Sequence, residues 1–339
     1  NQWYYGSGHP KLKINYEYDS SGQASVIINQ TQKSEKAFIL PIAVDVYVKG
    51  NKTRYNITTS SLSDTFKFNV TDKPEWISVD ADKILLAEKT DNKSEENYTA
   101  QLKYGKSYLD RKEALDYFGK KRNPMVAKGL EDKFYGLRIS TINKIQTSTS
   151  LKEDTILINK IEVIAKNDPN RKVRAAAIEF LADNGDKKYL SIYEKAINDS
   201  SYRVAGAAFK GLIALNPEGA YELAKKYSND AKGSLGAQVI KILVSKGTES
   251  DFDFVANAFS DAPLSQEKFQ MVDEFADFIA KVSDISKIKK GIDEIIKLRN
   301  QIPAQYREFT DSGFKKNFEK ITKGKGKEVE DYVNEVWKD

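Results

Sequence analysis

No cysteine occurs in the 339 residues, and histidine occurs once, at position 9. The first absence removes disulfide frameworks, thiolate nucleophiles and cysteine zinc sites together. It leaves the redox compartment open, because a cysteine-free chain folds as well in a cytosol as in a periplasm. The second excludes a two-histidine zinc site, any His-Glu-x-x-His helix, and a Ser-His-Asp triad with ligands to spare. Nowhere does an apolar run approach the roughly 18 residues of a membrane span. The start, Asn1-Gln2-Trp3, has no basic segment followed by an apolar one. The chain therefore reads as a soluble piece, cytoplasmic or periplasmic, cut at its N-terminus. A strong charge of one sign is missing too. Lys and Arg number 54 against 49 Asp and Glu, a net +5, with the signs interspersed, so no nucleic-acid partner is called for.

The residue types that remain do not assemble into a site. His9 lies in Gly6-Ser7-Gly8-His9-Pro10, a loop before a strand, and reads as a residue with no ligand role. Glu95-Glu96 and Glu330-Asp331 are paired carboxylates in charged stretches, without the apolar wall that would split their pKa values. Gly6-x-Gly8 lacks the strand-to-helix context of a dinucleotide loop. Gly324-Lys325-Gly326-Lys327 lacks the spacing and the Ser/Thr of a P-loop, and Lys323, Lys325 and Lys327 read as a solvated run. Asn-x-Ser/Thr triplets begin at Asn29, Asn51, Asn56, Asn69, Asn92, Asn97 and Asn198, as chance provides in a chain rich in Asn, Ser and Thr. No catalytic, cofactor-binding or metal-ligating residue is nominated, and no cofactor is expected in this chain.

What is present is two kinds of periodicity. Over the first ninety residues apolar and polar residues alternate, the mark of half-buried strands. Leu12 to Tyr18, Val26 and Ile28, Phe38 to Val48, Tyr55 and Ile57, Phe66 to Val70, Trp76 to Val79, and Ile84 with Leu86 give about seven short strands. Turn clusters such as Asp19-Ser20-Ser21-Gly22 and Lys49-Gly50-Asn51 separate them. Pro41 cannot donate to a ladder, so its strand is expected at an edge or broken there. The spacing predicts an antiparallel β-sandwich over residues 1–90, Ig-like in size.

From Asp91 to Glu96 the chain turns polar, and helical spacing follows over 91–339. Helices are predicted over Asp110 to Lys120, Met125 to Glu131, Lys133 to Ile145 and Glu153 to Lys166. Then Asp168, Asp199, Asp230 and Asp261 recur every 31 residues. The apolar residues behind them recur too: Val173, Ala176, Ala177, Ile178 and Leu181, then Val204, Ala207, Ala208, Phe209 and Leu212, then Val239, Ile240 and Leu243. Each Asp is placed to cap a helix, with Pro169 at the first helical position. Second helices are expected over Lys188 to Asn198, Gly219 to Ser228 and Asp251 to Ser260. Two helices per unit predict a tight HEAT-like solenoid from about 168 to 282, its last unit degenerate as a cap would be.

The segment Trp3 to Lys89 resembles the β-sandwich domain that follows the catalytic domain in zinc aminopeptidases of the aminopeptidase N (gluzincin) type. The residues that carry this are Gly8-His9-Pro10-Lys11-Leu12-Lys13-Ile14, Gln30-Thr31-Gln32, Phe38-Ile39-Leu40-Pro41 and Pro74-Glu75-Trp76-Ile77-Ser78-Val79-Asp80. The helical part is similar to that family's C-terminal array at Phe134-Tyr135-Gly136-Leu137-Arg138 and at Asp168-Pro169, Val173-Arg174 and Ala176-Ala177. The resemblance implies that zinc, its His-Glu-x-x-His helix and the substrate-amine loop belong to an upstream catalytic domain. This chain would then be the non-catalytic part that bridges to that domain, covers its active site and controls peptide access. Its expected partners are that domain and the parent's peptide substrates. The alternative is a free-standing HEAT-like scaffold for protein interaction. A third possibility, a hydrolase working through unmarked carboxylates, has no motif behind it.

Overall fold

The computed structural model describes residues 8–33, 36–227, 232–262, 264 and 266–337. The chain divides into two compact units, Asn1–Glu153 and Asp154–Asp339.

The first unit opens with strands β1 (Lys11–Tyr18), β2 (Gln23–Gln30), β3 (Leu40–Val48), β4 (Asn51–Thr59), β5 (Ser63–Asn69), β6 (Trp76–Val79) and β7 (Glu88–Asp91). They form a four-stranded sheet in the order β5-β2-β1-β7 and a three-stranded sheet in the order β4-β3-β6. Alternation does what period two requires. Leu12 and Ile14 on β1, Val26 and Ile28 on β2, and Ile42, Val44 and Val46 on β3 are all buried in one shared core. Lys49 and Gly50 turn β3 into β4 with φ of 48° and 80°, the positive values a tight hairpin needs. Gln30 closes β2 against the entry to β3. Its amide donates to the Phe38 carbonyl and accepts from the Phe38 N–H, both at 2.8 Å.

Three expectations need correction. Ile84 and Leu86 form no strand and are 78% and 76% exposed, while the intervening Leu85 packs on the core. The last strand is instead the polar segment Glu88–Asp91, and it runs parallel to β1, so the sheets are not wholly antiparallel. Pro41 does not mark an edge strand, because β3 is central in its sheet. β6 pairs with it only from Val44 to Tyr47, so at Pro41 nothing on that side asks for an N–H.

Helices α1 (Glu95–Tyr104), α2 (Tyr108–Lys120) and α3 (Tyr135–Thr147) belong to the same compact unit, with a 3-10 segment, Pro124–Glu131, where an ordinary helix was expected. The secondary structure does change between Asp91 and Glu95, yet the compact unit runs on past the expected boundary at 90/91 to Glu153. The reason is adhesion between layers. Ala100 and Tyr104 of α1 close over Tyr47 and Trp76, whose rings stack at 4.6 Å, with Tyr104 stacked on Tyr47 at 5.8 Å.

The second unit contains α4 (Thr155–Asn167), α5 (Arg171–Asn184), α6 (Leu190–Ala196), α7 (Tyr202–Leu215), α8 (Pro217–Tyr227), α9 (Gly233–Lys246), α10 (Phe252–Asp261), α11 (Gln266–Ile279), α12 (Ile285–Asn300), α13 (Ala304–Thr322) and α14 (Lys327–Val336). The starts of α5, α7 and α9 lie 31 residues apart, matching the repeat read from the sequence. α5, α7, α9, α11 and α13 pack each on the next, and α4, α6, α8, α10 and α12 each pack against the helix that follows them. Close approach is built in at Gly206, where an added Cβ would come within 2.6 Å of the Ser234 backbone on α9.

Among the described residues the repeated aspartates are not the N-caps of α5 and α7, which are Asn170 and Ser201. Asp168 and Asp199 accept the N–H two residues on, from Asn170 and Ser201, forming turns that end where the helix begins. Asn170 is the cap of α5, so Pro169 lies outside that helix. Arg174 then ties successive units together, donating to the Asp168 carbonyl at 3.0 Å and to the Asp199 carboxylate at 2.8 Å. Asp261 is the exposed last residue of α10. Asp230 and Ser228 lie outside the described residues, as do Trp3 and Gly6.

Candidate functional site

The densest set of ionisable groups lies in the first unit, where the sheets meet α1 and α2. Lys83 follows β6 at a positive φ of 56°, and Lys93 stands between β7 and the Ser94 cap of α1. Their side chains are 9% and 3% exposed. Lys83 Nζ lies 3.3 Å from Asp110 Oδ1 and 3.3 Å from Glu113 Oε1 on α2. Lys93 Nζ lies 2.9 Å from Asp91 Oδ2 and 3.5 Å from Glu113 Oε2, and donates to Gln101 Oε1 at 2.8 Å. Gln101 passes the link on, donating to Glu113 and to the Asp110 carbonyl. Tyr16 of β1 donates to Asp91 at 2.6 Å. Beside this network opens a cleft of about 220 Å³ lined by Tyr16, Lys73, Asn92, Lys93, Ser94 and Asn97.

The electrostatics oppose proton chemistry. Burial alone would push the Glu113 carboxyl up, but Lys83 and Lys93 outweigh it and hold it below the ordinary value. Burial alone would push Lys83 down, yet Glu113 and Asp110 outweigh it and raise it. Burial, then Asp91, lifts the Tyr16 phenol well above its ordinary range. A general acid or base at neutral pH needs its pKa brought toward 7. Here the carboxylate and the ammonium move away from it, so the network works as an ionic clamp between strands and helices.

The residues weighed in the sequence fall elsewhere. His9 is exposed and meets Glu88 at 2.5 Å, where Lys11 also pairs at 2.9 Å. Glu95 and Glu96 stand in the first turn of α1, as suits a helix N-terminus, and Glu95 accepts from Asn123. Glu330 and Asp331 are exposed on α14. Gly324 and Gly326 supply positive φ to the turn before α14, and Lys325 donates to the Val282 carbonyl at 2.6 Å, so it is tied into the fold and is not a solvated residue. Among the described residues no three His, Cys, Asp or Glu side chains are grouped to hold a metal, and no helix is long and apolar enough to cross a membrane. Sequence reasoning missed the clamp, because Lys93 sits in a polar run and its partners Asp91, Gln101 and Glu113 lie 2, 8 and 20 residues away with no pattern linking them.

No family model matches the chain, and no curated protein matches it. Among solved structures the chain is similar to the crystal structure of Legionella pneumophila aminopeptidase A in complex with aspartic acid, at 13% identity and a TM-score of 0.37. The likeness covers 99% of this chain and 49% of that one, so the chain spans about half the length of that protein. At this TM-score the likeness settles neither fold nor activity.

Proposed function

We propose that the chain is the non-catalytic C-terminal part of a zinc aminopeptidase, a β-sandwich followed by a HEAT-like solenoid. It would bridge to the catalytic domain and limit which peptides reach the zinc. What supports this reading is where the residues of the resemblance sit. Gly8 to Ile14 lead into and open β1, Gln30 clamps the entry to β3, and Asp80 follows β6 with its carboxylate accepting from the Ile84 and Leu85 N–H groups and paired with Lys89 at 2.6 Å. The matching residues thus occupy joints of the sheet region, as residues shared for a common fold would. In this reading the sandwich, with α1 and α2 clamped to it, is the bridge, and the array from Asp154 on is the cover. The scaffold alternative rests on the same fold without the upstream domain.

The isolated chain is expected to retain less than about 0.1 equivalent of zinc after dialysis and to release no amino acid from aminoacyl substrates, because a catalytic zinc needs three protein ligands. Zinc analysis and a chromogenic aminoacyl assay check this. One equivalent of zinc with activity lost on chelation would overturn it. A reading frame upstream of Asn1 that encodes His-Glu-x-x-His separates the proposal from the scaffold alternative.

A further inference from the structure

Helix α2 opens with Tyr108 and Leu109, and Phe134 stands just before α3. These three side chains are 42%, 43% and 40% exposed. The Tyr108 and Phe134 rings meet edge to face at 5.2 Å, and Tyr135 lies 4.9 Å from Phe134. Phe134 is folded over Gly136, where an added Cβ would come within 2.5 Å of its ring, so the patch is fixed in place. Helix formation does not call for Phe134. It occupies the cap position of α3 and makes no side-chain cap bond, where Ser, Asp or Asn would add about 1 kcal/mol. Aromatic side chains clustered at a surface are typical of contact surfaces.

The stretch of chain that carries them is basic on balance. Residues 103–144 carry eleven Lys and Arg against five Asp and Glu, whereas the other residues of the chain carry 43 against 44. The whole positive surplus therefore lies in this stretch. Its carboxylates are committed: Asp110 and Glu113 to Lys83 and Lys93, Asp116 to Lys112 and Lys144, Asp132 to Arg111, and Glu131 to a partner of its own. Lys106 and Lys133 are exposed and flank the three side chains in sequence, and the carboxylate of Asp132, on which Lys133 acts, is bonded to Arg111.

We propose that this patch docks an acidic polypeptide segment with apolar side chains set among its Asp and Glu residues. The rings and Leu109 take the apolar side chains, and Lys106 and Lys133 take the carboxylates. The inference stands on the first unit alone and does not depend on the peptidase reading. Its test is fluorescence anisotropy with the 339-residue chain and a labelled peptide of repeated Glu-Leu-Glu-Phe-Gly, beside the same peptide with Lys for Glu and vesicles of phosphatidylglycerol with phosphatidylcholine. The acidic peptide is expected to bind and the basic one not. The dissociation constant should rise about tenfold in Lys106→Glu/Lys133→Glu and in Phe134→Ser, and stay unchanged in Lys120→Glu/Lys121→Glu, whose exposed lysines lie at the far end of α2. If Phe134→Ser perturbs the circular dichroism, the lysine pair decides. No binding of the acidic peptide, equal binding by the Lys106→Glu/Lys133→Glu variant, or binding to vesicles alone would overturn the proposal.

Discussion

Replacing Lys93 by Met is expected to destabilise the first unit by about 3–5 kcal/mol, the usual cost of removing one member of a buried charge set. Lys93 is all but excluded from water, and Met matches its length without its charge, so packing is largely kept. What remains is Asp91, which keeps the Tyr16 hydroxyl as a donor, and Glu113, which keeps Lys83 and Gln101. The pH dependence carries a sign that can be checked. Glu113 is held below its ordinary value of 4.5, so its contribution is present above that pH and is lost as the pH falls through its lower folded value. Lys83 is held above 10.5, so its contribution is intact across the acid and neutral range and fails only in strong alkali. The gap between native protein and Lys93→Met should therefore narrow as the pH is lowered below about 4.5. Hydrogen exchange of peptides from α1 and α2 in increasing urea, at neutral and acid pH, measures both. A loss below about 1 kcal/mol at neutral pH would mean that the clamp does not hold the layers together.

Ala208→Asp should unfold the middle of the second unit, at about 4 kcal/mol or more, because it places an unpaired carboxylate where no water reaches. Ala208 is fully buried on α7, between neighbours that approach as closely as Gly206 allows. The control is Lys210→Ala. Lys210 lies on the outward side of α7, and its ammonium reaches across to Asp183 on α5 at 2.6 Å, with more than a third of the side chain exposed. A pair so placed contributes about 0–1 kcal/mol. Urea melts followed by circular dichroism compare the two, and equal losses would contradict the helix phase described above.

What could be read in advance follows from what each element shows to its own neighbours in sequence. The 31-residue spacing of α5, α7 and α9 was legible because an apolar pattern, Val173 to Leu181, Val204 to Leu212 and Val239 to Leu243, recurs in the sequence at that interval. Most strands were legible because Ile42, Val44 and Val46 alternate with more polar or less buried residues. β7 was not: Glu88-Lys89-Thr90-Asp91 buries no apolar face, and only its parallel pairing with β1 makes it a strand. Leu85 and Ala87 pack on the core and leave the more conspicuous Ile84 and Leu86 outside, so hydrophobicity pointed to the wrong side of that segment. α1 was missed for a related reason. Of its ten residues only Ala100 and Gln101 are buried, and the sole local signal was Ser94 with Asn97, which form a reciprocal cap. Whether a lysine is solvated or clamped depends on partners brought by the fold, and no periodicity encodes that for Lys83 or Lys93.

The access role in the proposed function is tested most directly in the full-length parent by ending it after Glu153, which keeps the clamped first unit whole and removes the array. Zinc content and the hydrolysis rates of a dipeptide, a long peptide and a folded protein are then compared with those of the intact enzyme. On the proposed reading the zinc site should still form and the dipeptide should still be cleaved, while the preference for short peptides over long ones falls by about tenfold or more, because the removed helices would contribute access and orientation and not bond-breaking. A soluble, zinc-loaded truncated enzyme with an unchanged length preference would contradict the access role and leave the scaffold alternative in its place.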